Sequence, residues 1–260
     1  LLIATWNVNS IKSRIDLAVR WLEEARPDVV CLQELKCVDE AFPREAIEAL
    51  GYNVAVHGQK TYNGVAILSR LPIEDVTIGL PGDDTDEQAR FVEAVVSAES
   101  GAVRVGGLYL PNGNPAPGPK YDYKLAWMER LITHARERLL LEEPFILAGD
   151  YNVIPAQADA KRPEAWLKDA LFLPQTRAAW RRLLALGFTE ALRAADEDDG
   201  VYTFWDYQAG AWQKNDGIRI DHLLLSPQAA DRLQAVRVDK HVRSWERPSD
   251  HVPVVIELAA

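Results

Sequence analysis

Two cysteines, Cys31 and Cys37, are all that this chain of 260 residues carries, which excludes a disulfide framework. Cys31 lies inside the apolar run VVCLQE and reads as a small buried hydrophobe. A reducing cytoplasm fits that usage. No apolar run reaches the length of a membrane span. The N-terminal LLI leads straight into a strand, without the basic segment and apolar core of a secretion signal. Neither a membrane partner nor secretion is expected. Positive charge is also short, since the formal net charge is −10. That excludes a protein that coats nucleic-acid phosphates over its whole surface, although a local cationic face would still hold a backbone. Cys/His spacing for zinc is missing. So are GxxxxGK[ST], a GxGxxG after a strand and a GxSxG elbow, which removes P-loop, dinucleotide and hydrolase-elbow chemistry. With no low-complexity linker and no internal repeat, a single domain over residues 1–260 is expected, long enough to bury a large core.

What is present is an alternation of apolar strands and amphipathic helices. LLIATWNV and DVVCLQE read as strands, the second continuously apolar and therefore buried on both faces. Between them, residues 11–25 place Ile11, Ile15, Leu17, Ala18, Trp21 and Leu22 at helical spacing. Residues 43–50 form a short helix that Gly51 caps. YNVAVHG, NGVAILS, FVEAVVSA and VRVGGLYL are further strands. PNGNPAPGPK, with Pro111, Pro115, Pro117 and Pro119, is a stiff exposed loop. A long helix over residues 123–141 follows, then the strand PFILAGD and a broken helical stretch over 163–186. YTFWDY, IRIDHLLLS, LQAVRVD and HVPVVIEL read as closing strands. Two groups of strands with interposed helices predict one α/β domain in which two packed sheets carry helices outside.

Several of these apolar strands end in an acid or an amide. Asn7 and Asn9 end the first strand, Gln33 and Glu34 the second, and Asp150 and Asn152 the strand FILAGD. Asp221 lies inside IRIDHLLL, and Asp250 and His251 precede the last strand. A carboxylate beside such a strand is costly unless it is paired or binds a metal. One case is explained by a strand-end cap, whereas five with the same chemistry point to a shared site at one edge of the sheets. Hard oxygen donors suit Mg²⁺ or Mn²⁺. With a water-positioning aspartate and a histidine beside an aspartate, such a site is suited to hydrolysing a phosphodiester.

At these residues the chain resembles the endonuclease/exonuclease/phosphatase superfamily, and within it the exonuclease III family of abasic-site endonucleases. The segments are ATWNVNSI, PDVVCLQELK, GLYLPNG, LAGDYNVIP, GIRIDHLLLS and RPSDHVPV, with HGQK and GLPGDD between them. Single motifs such as GDxN are weak; six in the right order over nearly the whole chain are specific. The resemblance implies a four-layer α/β sandwich, DNase I-like, with two mixed β-sheets flanked by helices. It implies Glu34 as the main Mg²⁺ ligand, with Asn7 nearby directly or through water. Asp150 would position and activate water, and Asn152 would hold phosphate and water. His251 would contact the phosphate, with Asp250 orienting its ring and favouring its protonated form. Tyr109 would contact the phosphate or assist the leaving oxygen, and Asp221 would hold the network or bind a second metal.

The implied substrate is duplex DNA with abasic sites or 3′ ends, cut 5′ of the site or trimmed from the 3′ end. Phe204, Trp205 and Ile218 would line or wedge a pocket that admits a sugar without its base, plain core packing being the alternative for each. Animal relatives carry a tryptophan where this chain has Ile218. Asn112 is the best phosphate contact in the proline-rich loop, and Lys36, Lys60 and Arg219 are candidate backbone contacts, as are Lys120, Lys124, Arg243 and Arg247. A phosphoesterase of the same superfamily acting on RNA, an inositol phosphate or a lipid is the enzymatic alternative. A catalytically dead binding module would lack Glu34, Asp150 or His251, and all three positions are filled. No exposed apolar helix face demands a partner, so a monomer is expected.

Overall fold

In the computed structural model, which describes residues 1–196 and 198–260, two six-stranded sheets pack face to face. The strands are β1 (Leu2–Asn7), β2 (Val29–Gln33), β3 (Asn53–His57), β4 (Val65–Ser69), β5 (Ile73–Ile78) and β6 (Phe91–Ala98). They continue as β7 (Gly101–Tyr109), β8 (Phe145–Asp150), β9 (Thr189–Glu190), β10 (Asp221–Leu225), β11 (Leu233–Val238) and β12 (Val254–Leu258). The helices are α1 (Ile15–Ala25), α2 (Arg44–Glu48), α3 (Pro119–Leu139), α4 (Pro174–Ala185), α5 (Ala191–Ala195) and α6 (Pro227–Ala230). One sheet has the order β11-β12-β1-β2-β4-β3 and the other β5-β6-β7-β8-β10-β9. Both are mixed: β1 runs parallel to β2 and β7 parallel to β8, and the remaining pairs are antiparallel.

The period-two alternation of the strands creates the layers. Ile3, Val29, Cys31, Ile67, Val92, Val105, Ile146 and Ala148 fill the space between the sheets, mostly with short or β-branched side chains. The opposite faces carry the bulk. Trp6 and Leu32 pack under Ala18, Trp21 and Leu22 of α1. Phe91, Phe145 and Leu147 pack under Trp127 and Leu131 of α3 and Trp180 and Leu183 of α4. Each such apolar side chain contributes about 1.5–3 kcal/mol when fully buried. The result is the four-layer sandwich expected from the sequence. The two unpaired cysteines are buried, and burial pushes the Cys31 thiol up to about 12. No helix among the described residues is long and apolar enough to cross a membrane.

The differences from the sequence reading have local causes. YTFWDY forms no strand; only Phe204 makes isolated bridges, to Ile218 and His251, because this segment crosses the end of the sheets instead of joining a ladder. β5 was not anticipated: its IEDVTI pattern is largely exposed and interrupted by a bulge, as befits an edge strand. Helix α3 starts at Pro119, because proline at the first helical turn needs no N–H partner. Helix α1 starts at Ile15, after a turn over residues 11–14.

The topology gathers the polar strand ends. The parallel pairs bring the C-terminal ends of β1 and β2, and of β7 and β8, to one edge of the sandwich, with Asn7 beside Gln33 and Tyr109 beside Asp150. Antiparallel β10 begins at that edge, so Asp221 lies opposite Asp150. Antiparallel β12 likewise begins there, just after Asp250 and His251.

Candidate active site

Asp150, Asp221, His251 and Asn7 are all buried at this edge. Gly149 lets β8 reach it, since a Cβ there would lie 2.0 Å from the Leu108 carbonyl oxygen. The Asn7 amide donates to Asp150 Oδ2 at 2.9 Å, and the Asn152 backbone N–H donates to Asp150 Oδ1 at 3.0 Å. His251 Nε2 lies 3.6 Å from Asp150 Oδ2. His251 Nδ1 pairs with Asp221 Oδ2 at 2.8 Å. This corrects the expected partner: Asp221, not the adjacent Asp250, orients the ring. Neighbouring residues in an extended segment point to opposite sides, so Asp250 is turned away while Asp221 arrives from β10. The Trp6 indole donates to the His251 carbonyl at 3.2 Å, and the Phe204 ring meets the imidazole edge-on with centroids 5.0 Å apart.

Burial and charge set the protonation states. Burial, reinforced by the Asp221 charge, pushes the Asp150 carboxyl up to about 7, although His251 and the Asn7 and Asn152 donors favour its ionised form. Burial alone would lower His251, but Asp221 and Asp150 outweigh it and raise the imidazole to about 10. The histidine is therefore an imidazolium whose nitrogens both act as donors. Burial, then Glu34 and Asp150, raise the Tyr109 phenol well above its ordinary value. Tyr109 stays protonated and donates to Glu34 Oε1.

Glu34 is half-buried just beyond β2, in a left-handed conformation with φ 54°. Asn9, Lys36 and Asn152 are also left-handed, with φ of 44°, 57° and 47°. Such strain in non-glycine residues clusters at functional sites. Asp250 is raised by burial first and also by the Glu34 charge, although His251 favours its ionised form. Like-charged oxygens crowded in this way, with the Asn7 amide nearby, fit a divalent cation of the Mg²⁺ class, which takes oxygen ligands and relieves the repulsion. Asp150, Asp221 and His251 also offer donor atoms within 4.8 Å of one another. Asp221 keeps one buried oxygen, Oδ1, without a partner.

The candidate DNA contacts divide. Lys36, Lys60 and Asn112 are exposed, and the Lys36 ammonium reaches Asn9 Oδ1 at 2.6 Å. Arg219 is not available to a phosphate. It is 1% exposed and pairs with Asp159 at 2.8 Å and Glu190 at 3.0 Å. Trp205 is fully buried in the core under the first sheet, with its indole on Asn215, so core packing accounts for it. Arg243 is likewise buried and donates to the Trp205 and Asp206 carbonyls. Lys124 is buried as well. Phe204 and Ile218 line one cavity of about 350 Å³ with Arg162, Trp166 and Gln208. Trp166 was missed by sequence reasoning; no spacing signal marks a tryptophan in a one-turn helix. Tyr207 was missed too. Its hydroxyl accepts from Asn9 and Arg14 and donates to the Pro248 carbonyl, tying the loop after β1 to the segment before Asp250.

Comparison with known proteins agrees with this geometry. The model of the Endonuclease/Exonuclease/phosphatase family matches residues 4–251. Exodeoxyribonuclease III of Haemophilus influenzae is 33% identical over 262 residues, covering 98% of each chain. A 3′-5′ exonuclease (NExo) from Neisseria meningitidis superposes with a TM-score of 0.96 at 40% identity over the whole of both chains. An AP endonuclease from Archaeoglobus fulgidus does so with 0.95 at 36% identity, again over both whole chains.

Proposed function

The chain belongs to the Endonuclease/Exonuclease/phosphatase family and is a hydrolytic nuclease of the exonuclease III type; on that premise we propose that it cuts duplex DNA 5′ of abasic sites and trims 3′ ends, with Mg²⁺ as cofactor and Mn²⁺ as substitute. The observation that carries this reading is the buried Asp150–His251–Asp221 chain with the Asn7 amide fixed on Asp150.

In this reading Asp150 takes the proton of the attacking water. Donors from Asn7 and Asn152 fix both of its oxygens, and a carboxyl held near 7 exchanges a proton readily at neutral pH. General-base assistance of this kind contributes about 10²–10⁴-fold. His251 supplies a positive charge to the phosphate, and Asp221 fixes its ring through Nδ1. Tyr109, whose neutral O–H donates to Glu34 here, would turn that O–H toward the phosphate or the departing oxygen once a cation occupies Glu34. The Asn152 and Asn112 amides steady the phosphate oxygens. Glu34, with Asn7 and Asp250, would hold the cation. When bound, it offsets charge developing on the phosphate. Phe204 and Ile218 give the neighbouring cavity an apolar wall, which suits a sugar stripped of its base. Two buried, unpaired thiols fit a reducing cytoplasm.

The test is an end-labelled duplex carrying one abasic analogue, incubated with Mg²⁺ and with chelator. Cation-dependent cutting immediately 5′ of the analogue is expected. Trimming from the 3′ end alone would remove the abasic pocket from the proposal. No cutting of DNA, with hydrolysis of an RNA, inositol phosphate or lipid phosphodiester instead, would overturn the substrate class.

A further inference from the structure

Lys124 has no solvent exposure, and among the described residues its ammonium is held by backbone carbonyls and pairs with no carboxylate. It projects from the first turns of α3 beneath the active-site edge. Its ammonium donates to the Asn152 carbonyl at 2.6 Å and the Asn112 carbonyl at 3.1 Å. These carbonyls belong to different segments, one after β8 and one in the proline-rich loop after β7. Burying an ammonium against neutral acceptors is costly, and the strain shows. Burial pushes the group down to about 7 against the pull of Asp169 and Asp150. The surrounding chain is shaped to admit it. Gly113, with φ +88°, would place a Cβ 2.6 Å from Lys124 Cδ.

Both clamped residues face the reaction. Asn152 is held left-handed at φ 47°, gives its backbone N–H to Asp150, and donates its amide to the Leu110 carbonyl. Asn112 is exposed at the head of its loop, where its Oδ1 accepts from the Asn114 backbone N–H. A lysine with no exposed atom cannot touch a DNA phosphate, so the sequence expectation that it tracks a strand fails.

We infer that Lys124 is a positioning residue: its ammonium ties the Asn152 and Asn112 segments together from below, so that Asp150 and the two amides meet the phosphate in register. This rests on the roles proposed above for Asn152 and Asn112. It adds a residue that touches neither DNA nor cation yet controls the reaction through those that do.

The test uses Lys124→Met, which fills the same space without a donor, on whichever DNA substrate the unaltered protein hydrolyses best. If the unaltered protein hydrolyses no DNA, the functional reading fails independently of this inference. The expected result is kcat lowered about 10–100-fold, the scale of a misplacement near 1 Å. DNA affinity in chelator should stay within about 3-fold and Tm within about 3 °C, because the Met side chain preserves packing. Lys124→Gln, which keeps a donor for one carbonyl, should recover part of the loss, and it replaces the Met variant in every comparison if that variant does not fold. In an Asn152→Ala background the Lys124 substitution should cost less than it does alone, since one of the two amides it positions is already gone and residues acting as one unit are not additive. Unaltered kcat in the Lys124 variant would overturn the inference, as would a full, additive loss in the Asn152→Ala background. So would a loss of activity that tracks only the unfolded fraction.

Discussion

Replacing Arg219 by methionine separates a phosphate contact from a buried clamp. The guanidinium spans Asp159 and Glu190, accepted by carboxylates that are themselves about as buried, and it also donates to His222 Nδ1 at 3.2 Å. Removing one partner of a buried pair costs about 3–5 kcal/mol, because a charge is stranded. Both carboxylates here keep other donors. Asp159 retains Arg193 at 2.7 Å and the Ala156 N–H at 3.1 Å, and Glu190 retains the N–H groups of Leu192 and Arg193. The expected loss therefore lies at the lower end, about 3 kcal/mol. At about 2–4 °C per kcal/mol for a chain of this size, Tm should fall by about 6–12 °C. A phosphate contact would behave in the opposite way, leaving stability intact and lowering the slope of log affinity against log salt by about one. Thermal unfolding and a salt titration of DNA binding in chelator, run on the same preparation, decide between them. An unshifted Tm together with a reduced salt slope would refute the buried-clamp assignment.

Four further outcomes are expected. Asp150→Asn should lower kcat by about 10²–10⁴-fold, the worth of a general base, while DNA binding in a gel-shift assay stays within a few-fold; near-normal turnover would remove Asp150 from the water-activating role. Glu34→Gln should raise the Mg²⁺ concentration needed for half-maximal cutting before it affects DNA affinity, and an unchanged Mg²⁺ titration would point to other ligands. Phe204→Ala should impair cutting at an abasic analogue more than 3′ trimming of an intact duplex, because its ring borders both His251 and the cavity; equal losses would make it simple core. Stability should also fall with acid through His222. Burial and the Arg219 charge lower its imidazole from 6.5 to about 4, and it sits neutral between Arg219 and the Val153 carbonyl. The unfolded chain then binds a proton that the folded chain refuses, so the contribution is complete above pH 6.5 and declines as pH falls toward 4. The decline amounts to about 3 kcal/mol; denaturant unfolding of His222→Gln should lack that slope, and an identical slope would assign it elsewhere.

What could be read from the sequence was whatever depends on periodicity along one strand. β1, β2 and β8 announced themselves by apolar runs, and the acids and amides at their ends stood out because polarity changes abruptly there. The parallel β1–β2 and β7–β8 pairs then bring those ends to one edge, so Asn7, Glu34 and Asp150 gather as the end-of-strand argument anticipates, joined by Tyr109, which only the family resemblance singled out. What could not be read depends on register between distant segments. The resemblance implied Asp250 as the group that orients the His251 ring. Asp221 takes the place only because β10 pairs antiparallel with β8 and starts opposite Asp150. Arg219, Arg243 and Lys124 read as candidate backbone contacts because nothing next to them in the sequence marks a partner. Each is neutralised or engaged by groups far away in sequence: Asp159 and Glu190, the Trp205 and Asp206 carbonyls, and the carbonyls of Asn112 and Asn152. In a chain with a net charge of −10, withdrawing these three cations leaves Lys36, Lys60, Lys120 and Arg247 as the exposed members of the candidate backbone contacts. Affinity for nonspecific duplex should accordingly come from few counterions released, with the phosphate at the reaction centre held mainly by neutral amides and one imidazolium.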